Sequence, residues 1–347
     1  MKKLLYTFVV ALFVMGCTNS QTPMSVDFTE LSTPTNASLR ALFVLNEDVI
    51  WASGSSGTVV RSLDGGESWK VTQIPGAETN DFRSIHAWNA DSAMVFGIAG
   101  PDFAYATGDG GASWQVVYAD TTSGLFFNSL KFADPNLGLA VSDPVDGKFV
   151  VLRTEDGGKN WRQVSQMPPA EAGEANFAAS NSCIEFLPTG KAWMVTGGTT
   201  ARVFYSEDFG KTWQVSNTPM IRGDASAGIF SVAFKNNREG VLVGGVYDQP
   251  EINTNVAAYT VDGGQNWVTA ETMTRGFRSC AQFIANGDAG FVLAVGKTGA
   301  DISYDGGRNW QFLSDQGYYT FRAVPGKAMG YLAGNNGRIA RVGFSKP

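Results

Sequence analysis

The octapeptide SLDGGESW at residues 62–69 is the key to this chain of 347 residues, because the chain repeats it. The shared pattern is Ser/Thr-x-Asp-x-Gly-x-x-Trp, and it occurs six times. The other copies are TGDGGASW (107–114), TEDGGKNW (154–161), SEDFGKTW (206–213), TVDGGQNW (260–267) and SYDGGRNW (303–310). Successive aspartates lie 45, 47, 52, 54 and 43 residues apart. Periods of this size are typical of solenoids, propellers and other repeat arrays.

The residue types of the repeat indicate a structural role. An Asp carboxylate and a Ser or Thr hydroxyl can bond backbone groups of the same tight turn, and Gly supplies a positive φ at little cost. The Trp then packs a large apolar face beneath the turn. Catalysis rarely needs six equivalent groups, so we interpret the aspartates as turn-forming residues. They are Asp64, Asp109, Asp156, Asp208, Asp262 and Asp305.

Four short strands are predicted in each repeat. In the first repeat they are residues 39–45, 49–53, 58–62 and 70–74, with the repeated turn between the last two. Counterparts of the first strand begin at Phe82, Phe127, Asn181, Ile229, Phe277 and Phe321. The chain therefore has seven such units, although it has six copies of the octapeptide. Each unit reads as one antiparallel sheet bounded by turns.

The seventh unit, residues 321–344, lacks the octapeptide and has room for three strands. We expect residues 26–31 to add its fourth strand, because closing the ring removes exposed sheet edges. The predicted fold is therefore all-β: a single seven-bladed β-propeller of four-stranded antiparallel blades, six with the repeated turn, closed by pairing of the N- and C-terminal segments. The predicted domain covers residues 35–347.

The N-terminus resembles an export signal. Residues 1–17 read MKKLLYTFVVALFVMGC, with two lysines, a short apolar run and a final Cys17 in a lipobox-like sequence. We predict lipidation of Cys17, with residues 18–34 as a tether to the membrane. The alternative is an ordinary cleaved signal. Either way we expect an exported protein, periplasmic or anchored to the outer membrane.

Composition restricts the classes of partner. A net charge of −6 disfavours nucleic-acid binding, which relies on a basic surface. His86 is the single histidine, so no His-based metal cluster is possible. Cys183 and Cys280 fall on different units and are expected to be buried free thiols. We expect no cofactor, no metal and a monomeric chain.

The first strands place arginines at one end of the predicted channel. Their alignment puts seven residues at one equivalent position: Arg40, Arg83, Asn128, Ser182, Phe230, Arg278 and Arg322. The four arginines would follow one another around the ring and would attract an anionic or carboxylate-bearing partner. In the alternative, each arginine pairs with an acid or a carbonyl and stiffens the ring. His86, near Arg83, is either a channel-lining acid/base or a packed, hydrogen-bonded histidine.

Longer connections are expected on the same face, in blades three to five. They cover residues 144–148, 168–180, 217–228 and 247–255. The candidate loop acids are Asp143, Asp146, Glu174 and Asp248. A carboxylate pair across the channel would suit glycoside hydrolysis, and the alternative is that these acids are simply solvated.

The whole mature chain resembles the bacterial secreted Asp-box (BNR-type) β-propellers related to photosystem II stability/assembly factors. The resembling stretches are FRSIHAWNADSAMVFGIAG (82–100), LAVSDPVDGKFVVLRTEDGGKNW (139–161), ANFAASNSC (175–183), ARVFYSEDFGKTW (201–213), SAGIFSVAF (226–234) and GKTGADISYDGGRNW (296–310). The resemblance implies an assembly scaffold with an arginine patch. Many members are labelled oxidoreductases, but this chain has neither a redox Cys pair nor a dinucleotide-binding glycine motif. Sialidases share the Asp-box, yet their Arg-Ile-Pro signature is absent, since Arg40 precedes Ala41.

Three functions follow as hypotheses. The first is an extracytoplasmic binding or assembly propeller that uses an arginine-lined channel mouth to hold an anionic or protein partner. The second is a carbohydrate-active hydrolase or lyase that uses the loop acids. The third is a redox enzyme of the family labelled oxidoreductase. Whether the chain is an enzyme is left open by the sequence.

Overall fold

The computed structural model describes residues 24–284 and 291–345, which form thirty β-strands and no helix. The first fifteen are β1 (Ser25–Leu31), β2 (Leu39–Val44), β3 (Ile50–Gly54), β4 (Thr58–Ser62), β5 (Lys70–Gln73), β6 (Phe82–Ala87), β7 (Ala93–Gly97), β8 (Asp102–Thr107), β9 (Gln115–Ala119), β10 (Phe127–Phe132), β11 (Gly138–Val145), β12 (Lys148–Thr154), β13 (Arg162–Gln163), β14 (Glu174–Ala175) and β15 (Ile184–Phe186). The rest are β16 (Ala192–Val195), β17 (Gly197–Gly198), β18 (Arg202–Ser206), β19 (Gln214–Asn217), β20 (Asp224–Phe234), β21 (Gly240–Val246), β22 (Ala257–Thr260), β23 (Val268–Thr269), β24 (Cys280–Ile284), β25 (Phe291–Gly296), β26 (Gly299–Ser303), β27 (Gln311–Ser314), β28 (Thr320–Ala323), β29 (Met329–Ala333) and β30 (Ile339–Ser345).

Seven sheets make up a ring of seven blades, which confirms the predicted fold. Blades 1 to 7 have the strand orders β2-β3-β4-β5, β6-β7-β8-β9, β10-β11-β12-β13, β15-β16-β18-β19, β20-β21-β22-β23, β24-β25-β26-β27 and β28-β29-β30-β1. Each blade buries apolar side chains against its neighbours. In β2, for example, Leu42 and Val44 pack towards blade 7, whereas Ala41 packs towards blade 2, as the alternation of a strand requires.

The two ends of the chain close the ring, as predicted. Strand β1 pairs antiparallel with β30 in continuous register from Ser25↔Ser345 to Leu31↔Ile339. Val26 and Phe28 pack against the apolar cluster between blades 6 and 7. The N-terminal strand therefore supplies the fourth strand of blade 7 and protects the edge of β30.

The blade 5 sheet departs from the predicted four strands. Two short strands, β14 and β17, extend its inner edge, so this sheet has the order β14-β17-β20-β21-β22-β23. Strand β17 joins it because Gly197 lies opposite Gly228 of β20. A Cβ on Gly228 would lie 2.3 Å from the Gly197 Cα, so this approach requires glycine. The extension carries the chain from the rim of blade 3 inward to the centre of the ring.

The Asp-box turns are built from short-range hydrogen bonds. In the first copy, Ser62 Oγ donates to Asp64 Oδ1 over 2.8 Å and accepts from the Gly66 N–H over 2.8 Å. The Ser68 N–H donates to Asp64 Oδ1 over 2.9 Å. The same hydroxyl-to-carboxylate bond recurs in the other five copies. The aspartates are thus occupied by the turns that contain them.

The predicted export signal, the predicted lipidation site Cys17 and the first part of the predicted tether lie outside the described residues. Nowhere in residues 24–284 or 291–345 does the chain form a helix that is long and apolar enough to cross a membrane.

Candidate functional site

A β-bulge marks the start of the first strand in four of the blades. Pairing of the first strand with the second skips one residue in each, namely Arg40, Arg83, Asn128 and Phe230. A bulged residue is left out of the ladder, so its side chain can be aimed at a nearby site. In blades 1, 2, 3 and 5 the predicted alignment therefore holds.

In blades 6 and 7 the predicted alignment is wrong. The N–H groups of Leu39, Arg278 and Tyr318 each donate to a carbonyl at the end of the second strand of the preceding blade, which makes these three residues equivalent. The counterparts of Arg40 are therefore Ser279 and Tyr319, and not Arg278 and Arg322. The Phe-Arg pairs in the sequence are displaced from this position by one and three residues, because backbone pairing, and not residue similarity, fixes the register. Of the four arginines predicted at this equivalent position, two occupy it: Arg40 and Arg83.

A cavity of about 590 Å³ lies beside these bulges. Its basic residues are Arg40, Arg83 and Lys297, and its lining comes from the first strands and from the longer connections of blades 3 to 5. The remaining lining residues are Phe126, Asp143, Ala175, Asn176, Phe177, Ala178, Ala179, Ala225, Phe230, Tyr247, Phe277, Ser279 and Tyr319. The cavity combines positive charge with a large aromatic surface.

Arg40 and Arg83 form the charged wall of the cavity. Arg83 Nε donates to Asp81 Oδ2 over 2.8 Å, and its Nη1 donates to the Ala178 carbonyl over 3.2 Å. The Arg40 guanidinium lies 4.2 Å from the ring centroid of Tyr319, a cation–π distance. Burial, and next the positive charge of Arg83, lower the pKa of Arg40. Two guanidinium groups that repel each other would be stabilised by a bound anion.

Arg278 and Arg322 lie apart from the cavity. Arg278 is completely buried, and its Nη2 is 2.6 Å from Asp301 Oδ2 in an ion pair. Arg322 is half-buried and donates from Nη2 to the carbonyls of Ser180 and Asn181 over 3.0 and 2.7 Å. Both arginines have the partners that the alternative expects, an acid for Arg278 and backbone carbonyls for Arg322.

The centre of the ring is filled by residues 178–182, which we call the channel plug. Asn181 Nδ2 donates to the Ile85 carbonyl of blade 2 over 3.0 Å, and Asn181 Oδ1 accepts from the Leu130 N–H of blade 3 over 2.8 Å. Ser180 Oγ donates to the Ser279 carbonyl of blade 6 over 2.6 Å. Asn181 has φ +56°, a left-handed conformation that Asn tolerates better than most residues. The plug therefore connects blades 2 and 3 with blade 6 across the ring, and its residues Ala178 and Ala179 also line the cavity.

Aromatic rings and the plug form the floor of the cavity. Phe177 stacks on Phe230 with centroids 4.0 Å apart, and Phe230 contacts Phe277 edge-on at 4.7 Å. Phe177 lies against Gly197 so closely that a Cβ there would be 2.2 Å from its ring. The glycine pair of the blade 5 extension thus makes room for this aromatic floor.

The loop acids are separated by the structure. Asp143 lies on the cavity wall, where its Oδ1 accepts from the Asn176 N–H over 2.9 Å and from Asn128 Nδ2 over 3.0 Å. Burial raises the pKa of Asp143 to about 6. Glu174 is buried and ion-paired with Arg202, while Asp146 and Asp248 are exposed. Among the residues that the structure describes, Asp143 is the one carboxylate on the cavity wall.

His86 lies in an aromatic cluster and not in the cavity. Its ring is 4.5 Å from Phe132, 4.6 Å from Phe43 and 4.8 Å from Trp88, centroid to centroid. Burial, and next the charge of Lys131, lower the pKa of His86 to about 3, so the imidazole is neutral at physiological pH.

The two internal cysteines are buried free thiols, and burial raises the pKa of Cys183 to about 12. In residues 24–284 and 291–345, no group of three or more His, Cys, Asp or Glu side chains is placed to share a metal ion.

Sequence reasoning missed the channel plug and the residues that complete the cavity. The sequence predicts that Asn181 begins the first strand of blade 4 and that Ser182 is the counterpart of Arg40, but β15 begins at Ile184 and both residues belong to the plug. Tyr319, Ser279 and Phe177 also line the cavity, although no motif in the sequence marks them. The length of the connection at residues 168–180 was a usable signal, because a long connection on a rigid fold is often functional.

Comparison with known proteins agrees with this architecture. The model of the BNR/Asp-box repeat matches residues 204–215, in blade 4. The photosystem II assembly lipoprotein Ycf48 of Synechococcus sp. (strain CC9902) is 24% identical over 247 residues, which cover 70% of this chain and 65% of that protein. The photosystem II assembly protein Ycf48 of Synechococcus sp. (strain JA-2-3B'a(2-13)) is 23% identical over 300 residues, which cover 75% of this chain and 82% of that protein.

Among solved structures, YCF48 bound to D1 peptide superimposes with a TM-score of 0.65 at 18% identity, over 93% of this chain and 99% of that one. At this identity the structural likeness establishes the fold. The sequence matches, the Asp-box repeat and the seven blades agree with one another. The chain is therefore an Asp-box β-propeller similar to the Ycf48 photosystem II assembly proteins.

Proposed function

We propose that this chain is an extracytoplasmic binding propeller that holds an acidic segment of a protein partner in the cavity next to the channel plug. The observation that carries the proposal is that Arg40 and Arg83 line one wall of the cavity while aromatic rings line its floor. A carboxylate would satisfy the two guanidinium groups, and an apolar side chain would cover the rings. A relative described as bound to D1 peptide supports a peptide as the ligand.

The cavity dimensions favour a peptide segment over a large folded surface. A volume of about 590 Å³ is within the range of small-ligand sites, so it suits a short segment of chain better than a folded surface. Two of the residues that line the cavity, Tyr247 and Lys297, are exposed to solvent. An extended segment that crosses the rim would contact both residues while one acidic side chain reaches Arg40 and Arg83.

The test is binding of fluorescein-labelled ten-residue peptides measured by anisotropy. One pool contains phenylalanine and glutamate at random positions, the second has glutamine in place of glutamate, and the D1 peptide is tested beside them. We expect the acidic pool to bind more tightly. We expect Arg83→Gln to weaken this binding about tenfold, because a charge-assisted hydrogen bond contributes about 1.5–3 kcal/mol.

Arg153→Gln is the matched control. Arg153 lies on the outer rim, where it pairs with Glu155 and donates to the Phe209 carbonyl. It should leave peptide affinity unchanged. Equal binding of the acidic and neutral pools would rule out a cavity that selects anions. An equal loss of affinity in Arg83→Gln and Arg153→Gln would rule it out as well.

We also propose that the chain is exported and anchored through a lipid on Cys17. The motif at residues 14–17 supports this, and one relative is named a lipoprotein. Expression in a bacterium with labelled palmitate should label the wild-type protein and not Cys17→Ala. An unlabelled wild-type protein that is released in soluble form after cleavage would instead support the ordinary signal.

A further inference from the structure

We propose that Arg322 is a positioning residue: it fixes the channel plug and, through the plug, sets the orientation of Arg83 and the floor of the cavity. This inference rests on the proposed function for its binding readout. Arg322 itself does not line the cavity. It acts from the channel side, underneath residues that do.

The hydrogen bonds of Arg322 show what it holds. Its Nη2 donates to the Ser180 and Asn181 carbonyls over 3.0 and 2.7 Å, and its Nη1 donates to the Phe321 carbonyl over 2.6 Å. Among the described residues no carboxylate lies within ion-pair distance of Arg322. Its Nη1 also donates to Thr320 Oγ1 over 3.2 Å and to Cys280 Sγ over 3.3 Å. Its charge is therefore stabilised by neutral acceptors, and the two that Nη2 contacts are carbonyls of the plug. A planar guanidinium can span adjacent carbonyls in a way that an ammonium cannot.

The plug transmits this constraint to the cavity. Two residues before Ser180, the Ala178 carbonyl accepts from Arg83 Nη1 over 3.2 Å. Ala178 and Ala179 line the cavity, and Phe177 forms its aromatic floor. A shift of residues 180–181 would therefore move both an acceptor of Arg83 and the surface on which a ligand rests.

A second contact supports the same arrangement. Thr320 Oγ1 donates to the Ser180 carbonyl over 3.1 Å, so this carbonyl accepts from two residues of β28. Thr320→Val removes the hydroxyl but keeps the shape of the side chain. It is a mild variant that tests the plug if Arg322→Gln fails to fold.

The experiment combines peptide binding with hydrogen exchange. In Arg322→Gln we expect about a tenfold loss of affinity for the acidic peptide pool, as expected when a binding group is held less firmly. We also expect faster exchange of the Leu130 amide, which donates to Asn181, and of the Asn176 amide, which donates to Asp143. Thr320→Val should show smaller changes in the same direction. Arg153→Gln should show neither.

Two further measurements separate positioning from direct contact with the ligand. Arg322→Lys keeps the charge but replaces the planar guanidinium that spans the two plug carbonyls. We therefore expect it to lose affinity for the acidic peptides as Arg322→Gln does. Full rescue of affinity by lysine would overturn the proposal. The salt dependence of affinity should flatten in Arg83→Gln, which removes a contacting charge, and should keep its slope in Arg322→Gln. A flattened slope in Arg322→Gln would also overturn it.

Failure of the proposed function would look different. If the wild-type protein binds no peptide, the binding proposal fails, while hydrogen exchange still tests the plug. If the wild type binds and Arg322→Gln leaves affinity and plug exchange unchanged, the positioning role is wrong and the binding proposal stands.

Discussion

The outer rim and the centre of this propeller are held together in opposite ways. On the rim, each Asp-box closes a turn with hydrogen bonds between residues two to four positions apart, such as Ser62 to Asp64 and Ser68 to Asp64. In the centre, the bonds of Asn181 reach Leu130 and Ile85, 51 and 96 residues away. The turns of the rim are therefore closed by local bonds, and what they share with other blades are single contacts to the neighbouring blade, such as Arg153 to the Phe209 carbonyl and Trp193 to the Gly263 carbonyl. The plug, by contrast, bonds several blades at once.

This difference predicts how damage spreads. Loss of one Asp-box turn should loosen its own blade, because the Asp and Ser/Thr bonds that close the turn are local and each blade contacts only its neighbours. Loss of the plug should affect several blades together and disturb the cavity above it. The following predictions test the contrast, from the largest expected effect to the smallest.

Asn181→Ala should lower the free energy of unfolding by about 3 kcal/mol. It removes the buried bonds to Ile85, Ser129 and Leu130 and leaves the Leu130 N–H without its acceptor. Urea unfolding measures the effect. The matched control is Asn160→Ala, which removes an exposed side-chain bond to Asp156 in an Asp-box. Equal losses in the two variants would contradict the contrast between centre and rim.

His86 should make the fold sensitive to acid. Its pKa is lowered to about 3 by burial and by Lys131, against about 6.5 in an unfolded chain. The unfolded state therefore binds a proton that the folded state rejects. The contribution of neutral His86 to the free energy of unfolding is fully present above pH 6.5. It is lost as pH falls towards 3, by up to about 1.4 kcal/mol per pH unit.

His86→Gln should flatten this slope between pH 4 and 6, as measured by urea unfolding at several pH values. The slope, and not the absolute stability, is the readout, because the substitution also removes aromatic contacts. An unchanged slope would show that His86 is protonated in the folded protein.

Asp262→Ala should lower the Tm by only about 2 °C. It removes bonds from the Asn266 N–H and Nδ2 and from Thr260 Oγ1, all within one exposed turn. Hydrogen exchange should quicken in residues 260–267 of blade 5 and remain unchanged in the plug. Faster exchange at Asn181 would show that rim and centre are coupled.

Protonation of Asp143 should have the smallest effect: we expect it to change the affinity for acidic peptides by about threefold. Its pKa of about 6 arises from burial, so it loses its negative charge as pH falls through 6. Once Asp143 is neutral, the charged side chains that line the cavity are Arg40, Arg83 and Lys297, which are all positive. Acidic peptides should therefore bind more tightly at pH 5 than at pH 7. Asp143→Asn should bind equally at both pH values; a persisting pH dependence would assign it to another group.

The repeated octapeptide, together with the counterparts of the first strand, was sufficient to predict seven blades. The spacing of its aspartates gave the number of Asp-box repeats, and the missing strand of the last unit indicated that residues 26–31 close the ring, as β1 does. These features are local or periodic: a turn needs its own Asp, Gly and Trp, and a strand needs its own alternation. No distant residue has to be known to recognise them.

The cavity depended on tertiary structure. Arg278 and Arg322 resemble Arg83 in sequence, with a Phe before each, but strand pairing gives the equivalent positions to Ser279 and Tyr319. Register is a property of two strands together, so one strand's sequence does not determine it.

The channel plug shows the same limit more strongly. Residues 178–182 look like an ordinary loop until the first strands of blades 2, 3, 6 and 7 surround them with donors and acceptors. By itself the sequence determined the repeated blades, the Asp-box turns and the closure of the ring. Only the folded ring decided which two arginines share a cavity and which segment fills the centre of the ring, because those contacts join residues far apart in the chain.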